Sequence, residues 1–409
     1  MRAAMTAAGK SLNTVKPAGV RDYYGALDGF RGVLALMVAM YHTIWLSGIN
    51  SHALLDNGPV LVDLFFVFSG FLMFRLYQGK LNNGQSALTF MKRRFARIYP
   101  LHFFMLMVFV GYQFLRVLSH KVGLSVVEPG EILPFQGGAA ETLSSFFGNL
   151  TLTQSMGLFD SLSYNPPAWT VSVEFWSYFV FLGMMLFAPP SKPRHFGMIA
   201  LAVIAIYATL SQMKPDMDFH YDLGFWRCLG GFYSGILAAW IYGHMPENWR
   251  GKGEGAKLSG TLLEIFTLVA LYCFVVYCDG KLQFFLAPIA ILFVLTFAMG
   301  QGRVSRFMTT KPLLYLGKIS YSIYMVHVLI SIVFWVFVER LLPGIVGPDW
   351  NATGMGGNLI MLPYLAIVIF ISHFTYHWIE KPGQKAVLAY DLRGRYAKVK
   401  SKLKASPAS

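Results

Sequence analysis

The sequence predicts an all-α fold, a polytopic membrane helix bundle of about ten transmembrane helices with the N- and C-termini in the cytoplasm. Three observations predict it. Of the 409 residues, 13% are charged and 55% are apolar, whereas soluble proteins carry about 25% charged residues. Ten stretches are long and apolar enough to cross a hydrocarbon core of about 30 Å. Lys and Arg are concentrated in alternate loops. Such a composition excludes a soluble enzyme and a disordered protein.

The chain divides into a tail, a membrane domain and a second tail. Residues 1–25 form a polar cytoplasmic tail, residues 26–385 the membrane domain, and residues 386–409 a basic cytoplasmic tail. The first apolar stretch is expected to be an uncleaved anchor, because no small-residue cleavage site follows it. The loop 119–166 contains an apolar run that favours a surface or re-entrant helix. The predicted spans are roughly 32–50, 58–78, 98–118, 167–188, 196–212, 223–243, 259–278, 282–301, 313–341 and 359–379.

The distribution of Lys and Arg gives the orientation. With the N-terminus inside, 26 of the 34 Lys and Arg residues fall on the cytoplasmic side and five on the other side. This is the bias that sets membrane topology. The net charge of +14 is therefore explained by topology and by attraction to anionic lipid. No nucleic-acid partner is expected.

Arg31 and His42 are the strongest pair of candidate functional residues. They are eleven positions apart, which is about three helical turns, so they share one helix face about 16 Å apart along the axis. Arg31 is expected at the cytoplasmic edge and His42 near the bilayer centre. The alternative is a snorkelling arginine and a histidine that bonds a neighbouring helix. We favour function, because ionisable groups inside a membrane are costly and an imidazole can act as a general base.

Glu174 is the second candidate, in the segment 169–176. It is expected about 10 Å below the outer surface, near the depth of His42. Its carboxylate could orient the imidazole or hold an acceptor hydroxyl. The alternative is a structural hydrogen bond to a neighbouring helix.

Arg94 and Arg97 lie on one helical face in the basic segment 92–100. With Arg31 at similar depth, three guanidinium groups would suit a phosphate-rich ligand that enters from the cytosol. A positive-inside topology signal would need only the charge, so from the residues alone the two interpretations are equal.

Further polar residues within the spans have weaker interpretations. The Ser69-Gly70 pair favours close helix packing, with room for a ligand at Gly70 as the weaker alternative. Asp63 is interpreted as an interface residue. Arg227 needs a partner that the sequence does not identify. One face of the ninth span carries Tyr321, Tyr324 and His327. These residues either line a cavity or form hydrogen bonds to neighbouring helices. A metal-like spacing is found for His373, His377 and Glu380. No further ligands accompany them, so no metal site is expected.

These segments together resemble the acyltransferase-3 family of membrane acyltransferases. Each motif is weak alone, but five in order over about 26–385 are specific. The resemblance is carried by the motifs 26–32 with His42, 63–73, 93–100, 172–175 and 316–327.

The resemblance implies a bacterial inner-membrane enzyme that moves an acyl group, usually acetyl, from cytosolic acyl-CoA to a hydroxyl of a surface or exported glycan. No bound cofactor is expected, and acyl-CoA is a co-substrate. No extra esterase-like domain of the kind that many relatives carry is expected, which implies direct delivery to the acceptor. The implied catalytic residues are His42 and Glu174, and the implied donor-binding residues are Arg31, Arg94 and Arg97. The cavity-lining candidates are Asp28, Ser69, Tyr99, Arg227, Tyr321, Tyr324 and His327.

Two questions remain open at this stage. His42 could deprotonate the acceptor or carry the acyl group itself, and the acceptor could be an amine or a lipid-linked intermediate. A rival class is a transporter or flippase in which His42 and Glu174 relay protons, but the inverted repeats typical of transporters are not evident. A purely structural subunit is disfavoured by the buried charges.

Overall fold

The computed structural model describes residues 24–49, 52–123, 132–249, 257–347, 350–351 and 353–390. Within these ranges the chain is helical and has no β-strand, which confirms the all-α prediction. In chain order the α-helices are α1 Gly25–Tyr41, α2 Ala53–Asp56, α3 Gly58–Tyr77, α4 Gly84–Lys121, α5 Leu143–Leu150, α6 Trp169–Phe187, α7 Pro193–Met213, α8 Gly224–His244, α9 Leu258–Tyr277, α10 Leu286–Met299, α11 Arg303–Met308, α12 Lys311–Val336, α13 Pro343–Val346, α14 Met355–Thr375 and α15 Lys381–Ala389.

Eight helical segments in the described part of the chain are long and apolar enough to cross a membrane. A multi-pass membrane protein is therefore confirmed. The two other predicted spans correspond to α1 and α8. The predicted boundaries of the first span are wrong, because α1 begins at Gly25 and ends at Tyr41. The total of ten spans and the side of the termini stay predictions, and the two predicted tails lie almost wholly outside the described residues.

The long helix α4 joins a predicted loop to a predicted span. Its 38 residues correspond to about 57 Å, nearly twice the thickness of a hydrocarbon core. It begins with a capping box, in which the Ser86 amide donates to Asn83 Oδ1 at 2.9 Å and satisfies a free amide of the first turn. The basic segment around Arg94 and Arg97 is therefore helical.

The predicted helix in the loop 119–166 is confirmed as α5. Thr142 caps it, because the Ser145 amide donates to Thr142 Oγ1 at 3.1 Å while the Thr142 amide donates to Ser145 Oγ at 2.9 Å. Two reciprocal bonds satisfy amides that a short helix otherwise leaves free.

Glycines bring two pairs of helices to backbone contact. A Cβ atom at Gly32 of α1 would lie 2.6 Å from the backbone nitrogen of Gly317 in α12. In the second pair, a Cβ at Gly235 of α8 would lie 2.6 Å from the backbone nitrogen of Phe71 in α3, beside Gly70. Small residues at such crossings let membrane helices approach closely. The packing interpretation of Gly70 is confirmed.

We expect Gly32→Ala to destabilise the protein by about 1–3 kcal/mol, because the added methyl overpacks the contact between α1 and α12. Gly111→Ala in α4 is the matched control, since nothing lies within 4 Å of a Cβ there. Alanine is also the better helix former. Thermal unfolding in one detergent measures both variants. Equal melting temperatures would contradict the prediction.

Candidate functional site

Two cavities lie at opposite ends of α1, one beside the start of α12 and the other beside its middle. The histidine cavity, of about 190 Å³, is lined by Val38, Tyr41, His42, Gly58, Pro59, Val62, Leu162, Pro166, Pro167, Trp169, His220 and Tyr324. The basic cavity, of about 600 Å³, is lined by Asp28, Arg31, Arg97, Lys311, Leu314, Tyr315, Gly317, Lys318, Tyr376 and Gln384. Both helices contribute residues to both cavities.

His42 lies at the point where α1 ends, and not in the middle of a span as expected. It is the C-cap residue, and its Nδ1 is 2.9 Å from the carbonyl oxygen of Val38. Ser331 of α12 donates to the His42 carbonyl oxygen at 2.8 Å. The helix end and α12 therefore fix the ring at the wall of the histidine cavity.

A second imidazole contacts His42. His327 of α12 is fully buried, and its Nε2 is 3.3 Å from His42 Nδ1. The Nδ1 of His327 is 3.2 Å from the Ile323 carbonyl oxygen. Carbonyl oxygens only accept, so each Nδ1 is assigned the proton. The His42 Nδ1–H is then shared between Val38 and His327 Nε2, and the lone pair of His42 remains on Nε2, as a general base requires.

Glu174 is not the group that orients His42. Its Oε1 accepts hydrogen bonds from the Ser69 hydroxyl and, at 2.6 Å, from the Tyr178 hydroxyl. The Val38 carbonyl and His327 occupy the orienting place instead. The predicted cavity residue Ser69 thus joins α3 to α6 through Glu174, outside the residues that line the two cavities. Any role of Glu174 in holding an acceptor stays a prediction.

Arg227 and Asp63 are each other's partners, which the sequence did not reveal. Both side chains are buried, and Arg227 Nη2 donates to Asp63 Oδ2 at 2.6 Å while Nε is 3.1 Å from the same oxygen. Nη2 also donates to the Pro59 carbonyl oxygen at 2.6 Å, and the guanidinium carbon is 5.4 Å from the centre of the Trp169 ring. Pro59 and Trp169 line the histidine cavity. Arg227 therefore lies behind the cavity wall and positions it.

The basic cavity gathers four cationic side chains. Arg31, predicted to bind the donor, faces it together with Arg97, Lys311 and Lys318. The two lysines were not singled out from the sequence. Arg31 also lies 3.8 Å from Asp28, a predicted cavity residue that does line this cavity.

Arg97 has a buried counter-ion. It pairs with Glu380, whose side chain is 2% exposed, and Ser322 of α12 donates to the other oxygen of Glu380 at 2.8 Å. The Arg97 guanidinium also lies 5.7 Å from the centre of the Tyr321 ring. Glu380 thus serves as a structural partner of Arg97. No group of three His, Cys, Asp or Glu residues in the described ranges is placed to hold a metal ion.

Arg94 and Tyr99 are not among the residues that line either cavity. The Arg94 guanidinium lies 5.9 Å from the ring centres of both Tyr77 and Tyr178. Tyr99 stacks on Phe95 with 4.3 Å between ring centres, and its hydroxyl donates to the Leu150 carbonyl oxygen at 2.9 Å. Of the three arginines predicted to bind the donor, Arg31 and Arg97 therefore line one cavity with two lysines, and the role of Arg94 stays a prediction.

Residues at every third position of α12 connect the two cavities as they wind around the helix. Lys318 lines the basic cavity, Tyr321 contacts Arg97, Tyr324 lines the histidine cavity and His327 contacts His42. These residues recur every three positions and extend about 14 Å along the helix axis. The Tyr321 hydroxyl donates to the Ile98 carbonyl oxygen at 2.7 Å, so this residue bonds across helices.

We expect Asp63→Asn to destabilise the protein by about 3–5 kcal/mol, because it leaves the buried charge of Arg227 unpaired. The double change Asp63→Leu with Arg227→Met should cost much less than the sum of its two single changes, since it removes both charges. Asp160→Asn, at an exposed position, is the control. Chemical unfolding in mixed detergent micelles measures the stability of each variant. A double change that costs as much as the sum of its two single changes would contradict the expectation.

Comparisons with known proteins converge on one family. The acyltransferase-3 profile, described as an acyltransferase domain, matches residues 24–380. The O-acetyltransferase OatA of Staphylococcus aureus is 24% identical over 389 residues, which cover 89% of this chain and 57% of that protein. The peptidoglycan O-acetyltransferase OatA of Listeria monocytogenes is 24% identical over 390 residues, covering 89% and 56%. A protein of Komagataeibacter xylinus named "Putative membrane-bound transacylase BcsY" is 22% identical over 363 residues, covering 87% and 82%.

The chain spans a little over half the length of the two O-acetyltransferases. No solved structure matches it.

Proposed function

The chain belongs to the acyltransferase-3 family, and on that premise we propose that it transfers an acyl group, most simply acetyl, from cytosolic acyl-CoA to a hydroxyl of a cell-surface or exported glycan. Its relatives are named as O-acetyltransferases, one of them of peptidoglycan. The observation that carries the proposal is the pairing of a cationic cavity at one end of α1 with an imidazole at the other.

The basic cavity suits the donor. Coenzyme A carries a diphosphate and a ribose phosphate, and charge-assisted hydrogen bonds from Arg and Lys are the usual way to bind phosphates. Arg31, Lys311 and Lys318 would bring three positive charges, with Arg97 held rigidly by Glu380 beside them. The predicted orientation opens this cavity to the cytosol, where acyl-CoA is found.

The distance between the cavities suits the shape of the donor. Arg31 and His42 are separated by about 16 Å along α1, which is comparable with an extended pantetheine arm. Phosphates held at the basic cavity would then bring the thioester towards the ring of His42. Holding the reacting groups together in this way supplies much of the rate enhancement in group-transfer enzymes.

His42 supplies the base in the proposed reaction. Its Nε2 takes the proton of the acceptor hydroxyl while the oxygen attacks the thioester carbonyl carbon. The carbon–sulfur bond breaks, the ester bond forms, and the leaving thiolate takes the proton from the imidazolium to give free coenzyme A. A route through an acyl group on Nε2 would use the same nitrogen as the nucleophile.

Location follows from the same proposal. The multi-pass helix bundle, with most of its Lys and Arg on one side, suits the bacterial cytoplasmic membrane. There one face meets acyl-CoA and the other meets glycans that leave the cell. A transporter or flippase has no comparable support, because the family and the named relatives are acyltransferases.

We expect His42→Ala to lower acyl transfer at least about 100-fold, because general bases contribute that much or more. His327→Ala should lower it less, since the Val38 carbonyl still orients His42. His244→Ala is the control, at an exposed position of α8. The assay follows label from radioactive acetyl-CoA into alkali-labile ester in membranes. Normal labelling by a stably inserted His42→Ala variant would refute the assignment.

We expect Arg31→Gln and Lys318→Gln each to raise the KM for acetyl-CoA by about tenfold, because each loses a charge-assisted bond to phosphate. Lys80→Gln controls for a cation outside the basic cavity, on an exposed turn.

A truncated donor makes this test specific. S-acetyl-N-acetylcysteamine carries the thioester without phosphates, so the Arg31 and Lys318 variants should use it as well as the wild type does. If the variants are equally impaired with both donors, the cations do not act through phosphate.

A further inference from the structure

Besides His42, one further histidine lines the histidine cavity, and the sequence motifs did not point to it. His220 lies in the loop between α7 and α8 and lines the same cavity as His42. Its Nε2 is 3.1 Å from Asp218 Oδ1. A carboxylate that holds one nitrogen of an imidazole fixes both the tautomer and the orientation of the ring. The arrangement differs from that of His42, whose Nδ1 meets a carbonyl oxygen and a second imidazole.

The loop that carries His220 is tied down on several sides. The Lys214 ammonium pairs with Asp222 at 2.6 Å and donates to the Asp218 carbonyl oxygen at 2.7 Å. The His220 amide donates to Asp222 Oδ1 at 3.1 Å. Arg227 Nη1 donates to the carbonyl oxygen of the preceding residue, Phe219, at 3.3 Å. The buried arginine that positions Pro59 therefore also positions His220.

The ring itself is held against an aromatic wall. The edge of the His220 ring meets Trp169, with 5.0 Å between ring centres. Burial lowers the pKa of His220, although the negative charge of Asp218 opposes the shift. In the neutral ring, with Nε2–H directed to Asp218, the lone pair is on Nδ1.

The remaining walls match the hydroxyl-bearing part of a sugar. The cavity, at about 190 Å³, is smaller than the roughly 300–1,000 Å³ of sites that enclose a whole ligand. It would therefore receive one ring or one substituent. Its walls combine aromatic and proline surfaces with the polar groups of His42, His220 and Tyr324, which is the usual mixture of apolar lining and few convergent polar groups.

We propose that His220, oriented by Asp218, binds the glycan acceptor by accepting a hydrogen bond from one of its hydroxyl groups in the histidine cavity. This inference rests on the proposed function and adds the acceptor subsite to it. His220 holds the acceptor, while His42 remains the base that takes the reacting proton. No covalent step is assigned to His220.

The test separates the use of the donor from the use of the acceptor. Purified full-length protein in liposomes receives radioactive acetyl-CoA, with or without the surface-glycan fraction of cells that lack this protein. Acetyl-CoA hydrolysis without glycan measures the donor side, and labelled ester on the glycan measures transfer. The variants are His220→Gln, Asp218→Asn, His42→Ala and the outer-side control His52→Gln, at an exposed position.

We expect His220→Gln to raise the apparent KM for glycan by about tenfold, with the KM for acetyl-CoA and its hydrolysis within about twofold of the wild type. Asp218→Asn should show the same pattern more weakly, because His220 remains but its tautomer is no longer fixed. His42→Ala should lose both activities, and His52→Gln should keep both. A purely structural role for His220 would lower both activities together and leave the KM for glycan unchanged.

Three results would overturn the inference. An unchanged KM for glycan in both His220→Gln and Asp218→Asn would show that the pair does not bind the acceptor. Parallel loss of both activities in His220→Gln would assign it a structural role. A wild-type protein that neither cleaves acetyl-CoA nor labels the glycan would overturn the proposed function itself, and this inference with it.

Discussion

The backbone contact between α1 and α12 is the constraint on which both ends of the site depend. Gly32 and Gly317 carry no side chain at the crossing, and nothing larger would let the two helices lie so close. The contact sets Arg31 beside Lys318 at the basic cavity. Because both helices are rigid, the same contact sets His42 beside His327 at the other end. A lipid environment gives little hydrophobic drive for helices to associate, so such close packing and hydrogen bonds must hold them. Tyr364 adds one of these bonds, since its hydroxyl donates to the Ala39 carbonyl oxygen at 3.0 Å.

A buried charge pair holds the wall of the histidine cavity. Paired ions cost desolvation energy that their attraction hardly repays, so such a pair is weak evidence for stability alone. Arg227 gives a clearer reason for its presence, because one guanidinium reaches Asp63, the Pro59 and Phe219 carbonyl oxygens, and the face of Trp169. An apolar side chain could fill the same volume, but it could not bond the Pro59 and Phe219 carbonyl oxygens at once. The pair therefore fixes the geometry of the cavity wall rather than adding stability.

Local patterns were sufficient for the fold and for half of the site. Composition and charge bias predicted a multi-pass helical bundle, and the eleven-residue spacing predicted that Arg31 and His42 are about three turns apart along one helix; the structure adds that they line two different cavities. The end of α1 was misplaced because the apolar run continues into a loop in which Trp45 and Ser47 are buried, whereas Ile44 and Leu46 are exposed. There Trp45 donates to the Gly357 carbonyl oxygen and Ser47 bonds Asn358. Hydropathy reports burial and does not distinguish a helix from a buried turn.

The partners of charged residues could not be predicted, since they come from distant parts of the chain. Glu380 is 283 positions from Arg97, and Asp63 is 164 positions from Arg227. His220 was overlooked for a different reason. It lies in a polar loop, where a histidine is not unusual in the way that an ionisable residue inside a membrane span is. A signal was present in the alternation of Asp218, His220 and Asp222, which concentrates ionisable groups beside a span.

The two imidazoles of the histidine cavity are held by different chemistry, and the difference suits two roles. His42 Nδ1 meets a neutral carbonyl and a neutral imidazole, which fix its tautomer without placing a charge beside the ring. Within the described residues no carboxylate bonds the His42 ring, so in the proposed reaction no adjacent negative charge holds the proton that His42 passes to the leaving thiolate. His220 is held by the carboxylate of Asp218, which favours a ring that stays oriented from one turnover to the next. A residue that binds a hydroxyl needs a fixed direction, whereas a residue that moves a proton needs a reversible charge. In the proposed reaction, His220 would therefore hold the acceptor, and His42, which α1 joins to the basic cavity, would meet the donor.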